Sequence, residues 1–343
     1  MAVTRADVAK RANVSPALVS YVLNSGPRPV SVANRMRILA AVEELGYRPN
    51  RIARALRENR THSIAMLMPD YVNPHFAELA QAVENEAFLR DYMLLIGTAN
   101  NDIDRERSYL RSFVDRQVDG LLLISAASSP DVELITEARV PVVLLDRAPH
   151  ESGFSTITID NRQAAREAVE HLLWHGRGAP ACIAGPRDLA AVSDDRVAGW
   201  RDALERAGIT DLPPLLQTPF SRDAGHAAMR RLLQADKTFD SVFVASDAQA
   251  IGAMRACNEL DRAVPGDVAL VSFDGTEAGT FTHPQLTSVE QGVPAIARTA
   301  VLELLQRIRN NDSPARHHVL RPRLRIGGTC GCIPREGRSS FFA

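Results

Sequence analysis

Eight short, nearly unbroken apolar runs punctuate the chain beyond residue 62. They are SIAMLM (63–68), YMLLIG (92–97), GLLLIS (120–125), PVVLLD (141–146), STITID (155–160), ACIAG (181–185), SVFVAS (241–246) and VALVSFD (268–274). A strand with one wet face alternates apolar and polar residues; apart from STITID these do not, which indicates cover on both faces. Amphipathic stretches of helical period separate them. Continuous apolar strands alternating with helices build parallel sheets sandwiched between helices. About ten strands in roughly 260 residues suit two doubly wound subdomains of the α/β class.

The first 60 residues obey a different pattern. They carry eleven Lys and Arg against four Asp and Glu, whereas the other 283 carry 29 against 37. The formal net charge of −1 therefore hides a basic head on an acidic body, and a basic head suits a polyanionic partner. Thr4, with Asp7 three residues on, has the spacing of a capping box at a first short helix. Val8, Ala9 and Ala12 give that helix its inner face. Asn13 sits where the chain must turn, and Asn tolerates the left-handed region. Ser15 caps a second helix with Pro16 at its first position, and Val19, Val22 and Leu23 face inward. Ser31 caps a third helix, whose expected core residues are Val32, Met36, Leu39, Ala40 and Leu45. Asn50 then caps a short basic segment, RIARALREN, too short to be a stable helix in isolation. It reads as a linker that orders against a partner.

Other classes of function find little support. No apolar run approaches the roughly 18–20 residues of a membrane span. The start, MAVTRADVAKRANVS, lacks the apolar core of a signal peptide, and a cytoplasmic protein is expected. Four scattered cysteines, Cys182, Cys257, Cys330 and Cys332, make no disulfide framework and fit a reducing compartment. No GxGxxG, P-loop or nucleophile elbow follows an apolar run, so neither an enzyme nor a cofactor is expected. His171 and His175 have the i, i+4 spacing of two metal ligands, but no third ligand is evident. They read as surface histidines. Cys330-Gly331-Cys332 lacks a second pair at zinc-ribbon spacing, and no metal is expected there.

The segments TRADVAKRANVSPALVSYVLN, YRPNRIARAL, MPDYVNPHF, DGLLLIS, DRVAGW, SDAQAIGAM and VSFDGT occur in order along the chain. Together they resemble the lactose-repressor/galactose-repressor (LacI/GalR) family of bacterial transcription regulators, from about residue 3 to about residue 332. The resemblance implies a three-helix helix-turn-helix head at 1–48, a hinge helix at 49–60, and a periplasmic-binding-protein-like core at 61–332. Within that core it implies an N-terminal subdomain of 61–160 plus 291–322 and a C-terminal one of 161–290 plus 323–332. Residues 333–343 are left as a tail. A homodimer on a palindromic double-stranded operator, controlled by a small-molecule effector, is the implied working state. No heptad zipper follows the core, and a dimer is expected rather than a tetramer.

A helix-turn-helix lays the start of its second helix in the major groove. Pro16, Ala17, Ser20 and Tyr21 point away from the core of the head. The family resemblance assigns base reading to Pro16, Ala17 and Tyr21. Thr4, Ser15, Ser20 and Asn24 are short polar residues suited to phosphates. Pro16 and Ala17 offer only apolar contact, such as with a thymine methyl, and direct readout leans on Tyr21. The resemblance also implies that Leu56 wedges into the minor groove at the operator centre, with Ala53 against the groove. Asn50, Arg51, Arg54 and Arg57 complete the basic hinge surface.

Ligands of open α/β sheets sit at the carboxyl ends of strands. The residues just past the apolar runs include Asp70, Ser125, Asp146, Asp247 and Asp274. Arg196 in DDRVAGW, His75 and Phe76 after the Asn-Pro turn, and Phe220, where the family often sets an aromatic against the ligand, join them. Carboxylates with one Arg and an aromatic face suit a polyhydroxylated ring, and a sugar or sugar derivative is expected. A purine or nucleoside is the alternative effector. A transport-type sugar-binding protein or a glycosidase is disfavoured by the basic head and by the lack of an acid pair. Leu56→Ala is expected to weaken operator binding and leave effector affinity nearly unchanged; gel-shift titrations and calorimetry on the same variant check both halves.

Overall fold

In a computed structural model of the chain, residues 3–23, 29–48, 60–125, 139–146, 153–186, 191–235, 239–310 and 313–332 are described. The chain divides into two compact units, Met1–Thr61 and His62–Ala343. Among the described residues, no helix is long and apolar enough to cross a membrane.

The first unit packs three helices: α1 (Arg5–Ala12), α2 (Pro16–Leu23) and α3 (Val32–Glu44). The Thr4 side chain accepts from the Asp7 amide while the Asp7 carboxylate accepts from the Thr4 amide, a complete capping box. Caps of this kind are worth about 1 kcal/mol. Asn13 ends α1 in the left-handed region at φ 51°, and Ser15 Oγ accepts from the Leu18 amide at 3.2 Å to start α2. The small core is Val8, Ala9, Ala12, Val19, Val22, Ile38 and Ala41. The third helix departs from expectation. Val32 is 75% exposed, Met36 67% and Leu39 46%, and Ala40 is exposed too. α3 carries two apolar stripes, and α1 and α2 cover the one through Ile38 and Ala41, with Val42 and Leu45 packed against it.

The second unit holds two six-stranded sheets. In chain order its elements are β1 (Ser63–Met68), α4 (Pro74–Phe88), β2 (Met93–Thr98), α5 (Ile103–Asp115), β3 (Gly120–Leu123), β4 (Val142–Leu145) and β5 (Ser155–Ile159). There follow α6 (Asn161–Trp174), β6 (Ala181–Ala184), α7 (Ala191–Arg206), β7 (Leu215–Gln217), α8 (Arg222–Leu233), β8 (Ser241–Val244) and α9 (Asp247–Glu259). The last are β9 (Ala269–Asp274), α10 (Glu277–Thr280), β10 (Thr287–Glu290), α11 (Val293–Arg309), β11 (His317–Leu320) and β12 (Arg323–Arg325).

The first sheet runs β11-β5-β4-β3-β1-β2 and is wholly parallel. The second runs β12-β10-β9-β8-β6-β7, parallel except where β12 pairs antiparallel with β10. The chain passes between sheets three times: after β5, after β10 and after β11. Each apolar run supplies a strand; β3, β4, β6, β8 and β9 are buried along their whole length, whereas β2 is an edge strand with one buried residue, Gly97. The four additional strands β7, β10, β11 and β12 are short. Three of them are half-exposed edges, where period-two patterning has little room to show.

Two helix contacts fix the second sheet's cover. α8 and α9 meet backbone to backbone at glycines. A Cβ on Gly225 would lie 2.1 Å from the Gln249 carbonyl oxygen, and one on Gly252 would lie 1.9 Å from that of Arg222. α6 packs on α7, whose Trp200 is buried and donates its indole N–H to the Pro180 carbonyl at 2.8 Å. One expectation is overturned at the end of α6: His171 is only 3% exposed, not a surface histidine. Moreover, Cys330 and Cys332 lie beside it and His175. Gly252→Ala is expected to push the two helices apart and cost about 1–3 kcal/mol, read as a lowered urea midpoint.

Candidate effector site and DNA-reading head

Arg196 is the centre of the candidate effector site. It sits one-third of the way along α7, with its side chain 4% exposed. Its Nε donates to Asn161 Oδ1 at 2.9 Å, and its Nη1 donates to the Ala245 carbonyl at 2.6 Å and to Asp274 Oδ1 at 3.4 Å. The guanidinium lies 3.7 Å above the Phe273 ring centroid, a cation–π arrangement. A buried cation needs such partners, since desolvation otherwise outweighs everything it gains.

Asp274 ends β9 at φ 111°, a strained value for a residue other than glycine. Gln291 Nε2 also donates to its Oδ1, at 2.8 Å. Its Oδ2 is buried and has no hydrogen-bond partner. Burial raises the Asp274 pKa to about 8, outweighing the opposing pull of Arg196; the charges of Asp247 and Asp146 push it the same way as burial.

His75 comes from the first subdomain. Asp70 Oδ1 accepts from the amides of Val72 and Asn73 at 2.7 and 2.9 Å, and Asn73 Oδ1 accepts from the His75 amide at 3.1 Å. This chain of turns presents His75 at the start of α4. The ring is 3% exposed and its Nδ1 has no partner. Burial lowers its pKa to about 4 against the pull of Asp146, so the imidazole is neutral near pH 7. Asp146, at φ 60° beyond β4, acts electrostatically on His75, Arg196 and Asp274 together. The rims touch where the Glu277 amide of α10 donates to Glu78 Oε1 of α4 at 2.9 Å.

Four candidates have other duties. The Asp247 carboxylate is fully occupied: Oδ1 accepts from the hydroxyls of Ser272 and Ser288 at 2.5 and 2.6 Å. Its Oδ2 accepts from the Thr276 amide and hydroxyl at 2.6 and 2.8 Å. No lone pair is left aimed at a ligand, and Ser246, not Asp247, caps α9. The Ser125 hydroxyl donates to buried Glu106 at 2.9 Å. Phe76 is 5% exposed and belongs to the core. Phe220 lies on Gly185 at the end of β6, so closely that a Cβ there would meet its ring at 2.2 Å. Its half-buried position leaves it partly available. Asn161 and Gln291 were not anticipated, though Gln291 directly follows β10 and Asn161 lies one residue further past β5, close to the rule that found the others.

In the head, Ser15, Pro16 and Ala17 are exposed at the start of α2, and Ser20 and Tyr21 are half-exposed. Thr4 is exposed, with its side chain committed to the capping box. Asn24, Asn50, Arg51, Ala53, Arg54, Leu56 and Arg57 lie outside the described residues.

The raised Asp274 pKa has a stability consequence. The folded protein holds this proton between about pH 4 and pH 8, where the unfolded chain has released it. Folding stability from this group therefore falls as pH rises through that window. Asp274→Asn removes the titration and keeps the acceptor for Arg196. It is expected to stabilise the unliganded protein by about 1 kcal/mol or more at pH 8, with a smaller gain at pH 5; urea melts at the two pH values check it.

Comparisons with known proteins bear on the family and the fold. The pattern of "Bacterial regulatory proteins, lacI family" matches residues 4–50, and that of "Periplasmic binding protein-like domain" matches residues 154–330. The HTH-type transcriptional repressor PurR of Escherichia coli O139:H28 is 34% identical over 323 residues, covering 93% of this chain and 94% of its own. A transcriptional regulator CelR–cellobiose complex superposes with a TM-score of 0.71 at 30% identity, covering 95% of this chain and 99% of the other. The lac repressor dimer bound to operator and the anti-inducer ONPF superposes with a TM-score of 0.84 at 26% identity, covering 96% and 99%. The chain belongs to the LacI family of bacterial transcription regulators and is not an enzyme.

Proposed function

We propose that this regulator is a homodimeric repressor of a palindromic operator, controlled by a neutral polyhydroxylated effector, a sugar or sugar derivative. The effector binds where His75, Asp146, Arg196 and Asp274 converge. One observation carries this reading. Among the described residues, four buried side-chain polar atoms have no hydrogen-bond partner, and two of them are His75 Nδ1 and Asp274 Oδ2. A buried polar atom without a partner costs roughly 1–3 kcal/mol, which a ligand hydroxyl relieves. The charges of Asp146 and Asp247 both act on this cluster against the single cation Arg196, which disfavours an anionic ligand. The cellobiose-bound relative supports the same chemistry.

Asp247 acts as a positioning residue: it ties β9, β10 and the 275–276 turn to α9, and thereby sets Asp274. The head reads DNA with the exposed start of α2, Pro16, Ala17 and Tyr21, while Ser15 and Ser20 meet phosphates. The hinge residues Leu56 and Ala53 act at the operator centre. An effector that touches both subdomains favours one relation of the two and shifts operator affinity only through that difference. Couplings of this kind are about 1–3 kcal/mol.

A thermal-shift screen of purified protein against one panel of neutral sugars and one of purines and nucleosides tests the effector class. A native-state ligand at 100 times its Kd adds about 2.7 kcal/mol of stability. A sugar that raises Tm for the parent and not for Asp274→Ala, and that changes operator affinity in a gel shift, is the expected outcome. A shift by purines alone overturns the sugar reading, keeps the regulator, and makes Phe220 a base-stacking residue.

A further inference from the structure

Away from the effector residues, at the other end of α6, two imidazoles and two thiols converge. His171 and His175 stand one turn apart on the same face of that helix end. His175 Nε2 is 3.2 Å from Cys332 Sγ, and His171 Nε2 is 3.8 Å from the same sulfur. One ligand atom from each of His171, His175, Cys330 and Cys332 can be chosen so that all four lie within 4.8 Å of one another. Some 155 residues separate the two pairs in sequence, and the third passage of the chain between sheets returns the cysteines to the helix.

The local structure holds this geometry. Gly331 adopts φ 102°, which a residue with a side chain rarely tolerates, and it lets both cysteines turn toward α6. The Cys332 amide donates to Cys330 Sγ at 3.5 Å, and the Thr287 hydroxyl lies 3.1 Å from the same sulfur. Donors aimed at a sulfur suit a thiolate ligand. His171 and Cys330 are buried, whereas His175 and Cys332 are half-buried and border solvent, which gives an ion a way in. Tetrahedral zinc, with two nitrogens at about 2.0–2.1 Å and two sulfurs at about 2.3 Å, spaces its ligand atoms roughly 3.3–3.8 Å apart. The 4.8 Å limit exceeds that by about 1 Å, within reach of side-chain rotation at the half-exposed pair.

We propose that His171, His175, Cys330 and Cys332 form a four-coordinate zinc site that fastens the end of the second subdomain to α6. Four protein ligands close the coordination sphere, which marks a structural site and not a catalytic one. The N2S2 donor set selects zinc among the common divalent ions over magnesium and calcium, which take oxygen. Binding is balanced in charge and protons: two thiols release two protons, and two thiolates with two neutral imidazoles neutralise the dication.

The test uses the full-length protein, reduced and stripped with chelator. Titration with Co(II) is expected to give one equivalent per chain, with the intense visible bands of tetrahedral cobalt and a thiolate charge-transfer band, both erased by Zn(II). Zn(II) is also expected to raise Tm and to protect Cys332 of the parent protein from iodoacetamide. That measurement needs no variant. Cys332→Ser and His175→Ala, at half-exposed positions, are expected to lose affinity by about a hundredfold or more. No metal uptake by the reduced parent protein overturns the proposal. So does uptake that persists undiminished in Cys332→Ser, or alkylation of Cys332 unaffected by zinc.

Discussion

A guanidinium taken out of water must be surrounded by acceptors, and the second subdomain is organised around that requirement. Arg196 draws one partner from the first turn of α6 (Asn161), one from the segment after β8 (Ala245) and one from the last residue of β9 (Asp274). Removing an acceptor outright leaves a buried guanidinium N–H without a partner, a loss that typically exceeds that of a hydrogen bond between neutral groups. The three elements are thus held in register by one side chain. The residue that pairs with it is also the one left with a buried oxygen unsatisfied.

Asp247 plays the complementary part. Its carboxylate gathers two serine hydroxyls from adjacent strands and an amide and hydroxyl from the turn between them. A carboxylate with four donors is a rigid joint, and the Asp274–Gly275 backbone is built on it. The positive φ of Asp274 persists because neighbours on both sides determine it: Arg196 and Gln291 hold the side chain, and Ser288 Oγ accepts from the Gly275 amide at 3.0 Å. Strain and unsatisfied polarity therefore coincide at the same residue, which is where binding has something to relieve.

The strands were legible because full burial leaves an unbroken apolar run, and the head because caps at Thr4, Ser15 and Ser31 declare where its helices begin. Choosing the inner face of α3 was harder. Val32, Met36 and Leu39 share one side of the helix as plausibly as Ile38 and Ala41 share another, and only the packing of α1 and α2 decides between them. At the candidate site, position at or just past a strand end singled out Asp274 and Asp146, both of which act electrostatically on Arg196. It could not tell a carboxylate left available, Asp274, from one spent on its neighbours, Asp247. That distinction rests on hydroxyls 25 and 41 residues away. The histidine–cysteine cluster was invisible for a related reason. Each half alone lacks further ligands in sequence, and the return of the chain after β11 unites them.

α6 links these observations physically. Its first residue, Asn161, holds Arg196, and its final turn carries His171 and His175. Ten residues of helix separate Asn161 from His171, roughly 15 Å at 1.5 Å per residue. Between them, Ala164, Ala165, Ala168, Val169 and Leu172 bury the inner face. A helix buried along its length moves as a body, because close-packed side chains give way together or not at all. Fixing its far end to residues 330–332 therefore steadies the end that holds Arg196. The crossing that follows β11 thus meets the same helix that holds Arg196 at its other end. What couples the two is one rigid helix with a polar anchor at each end.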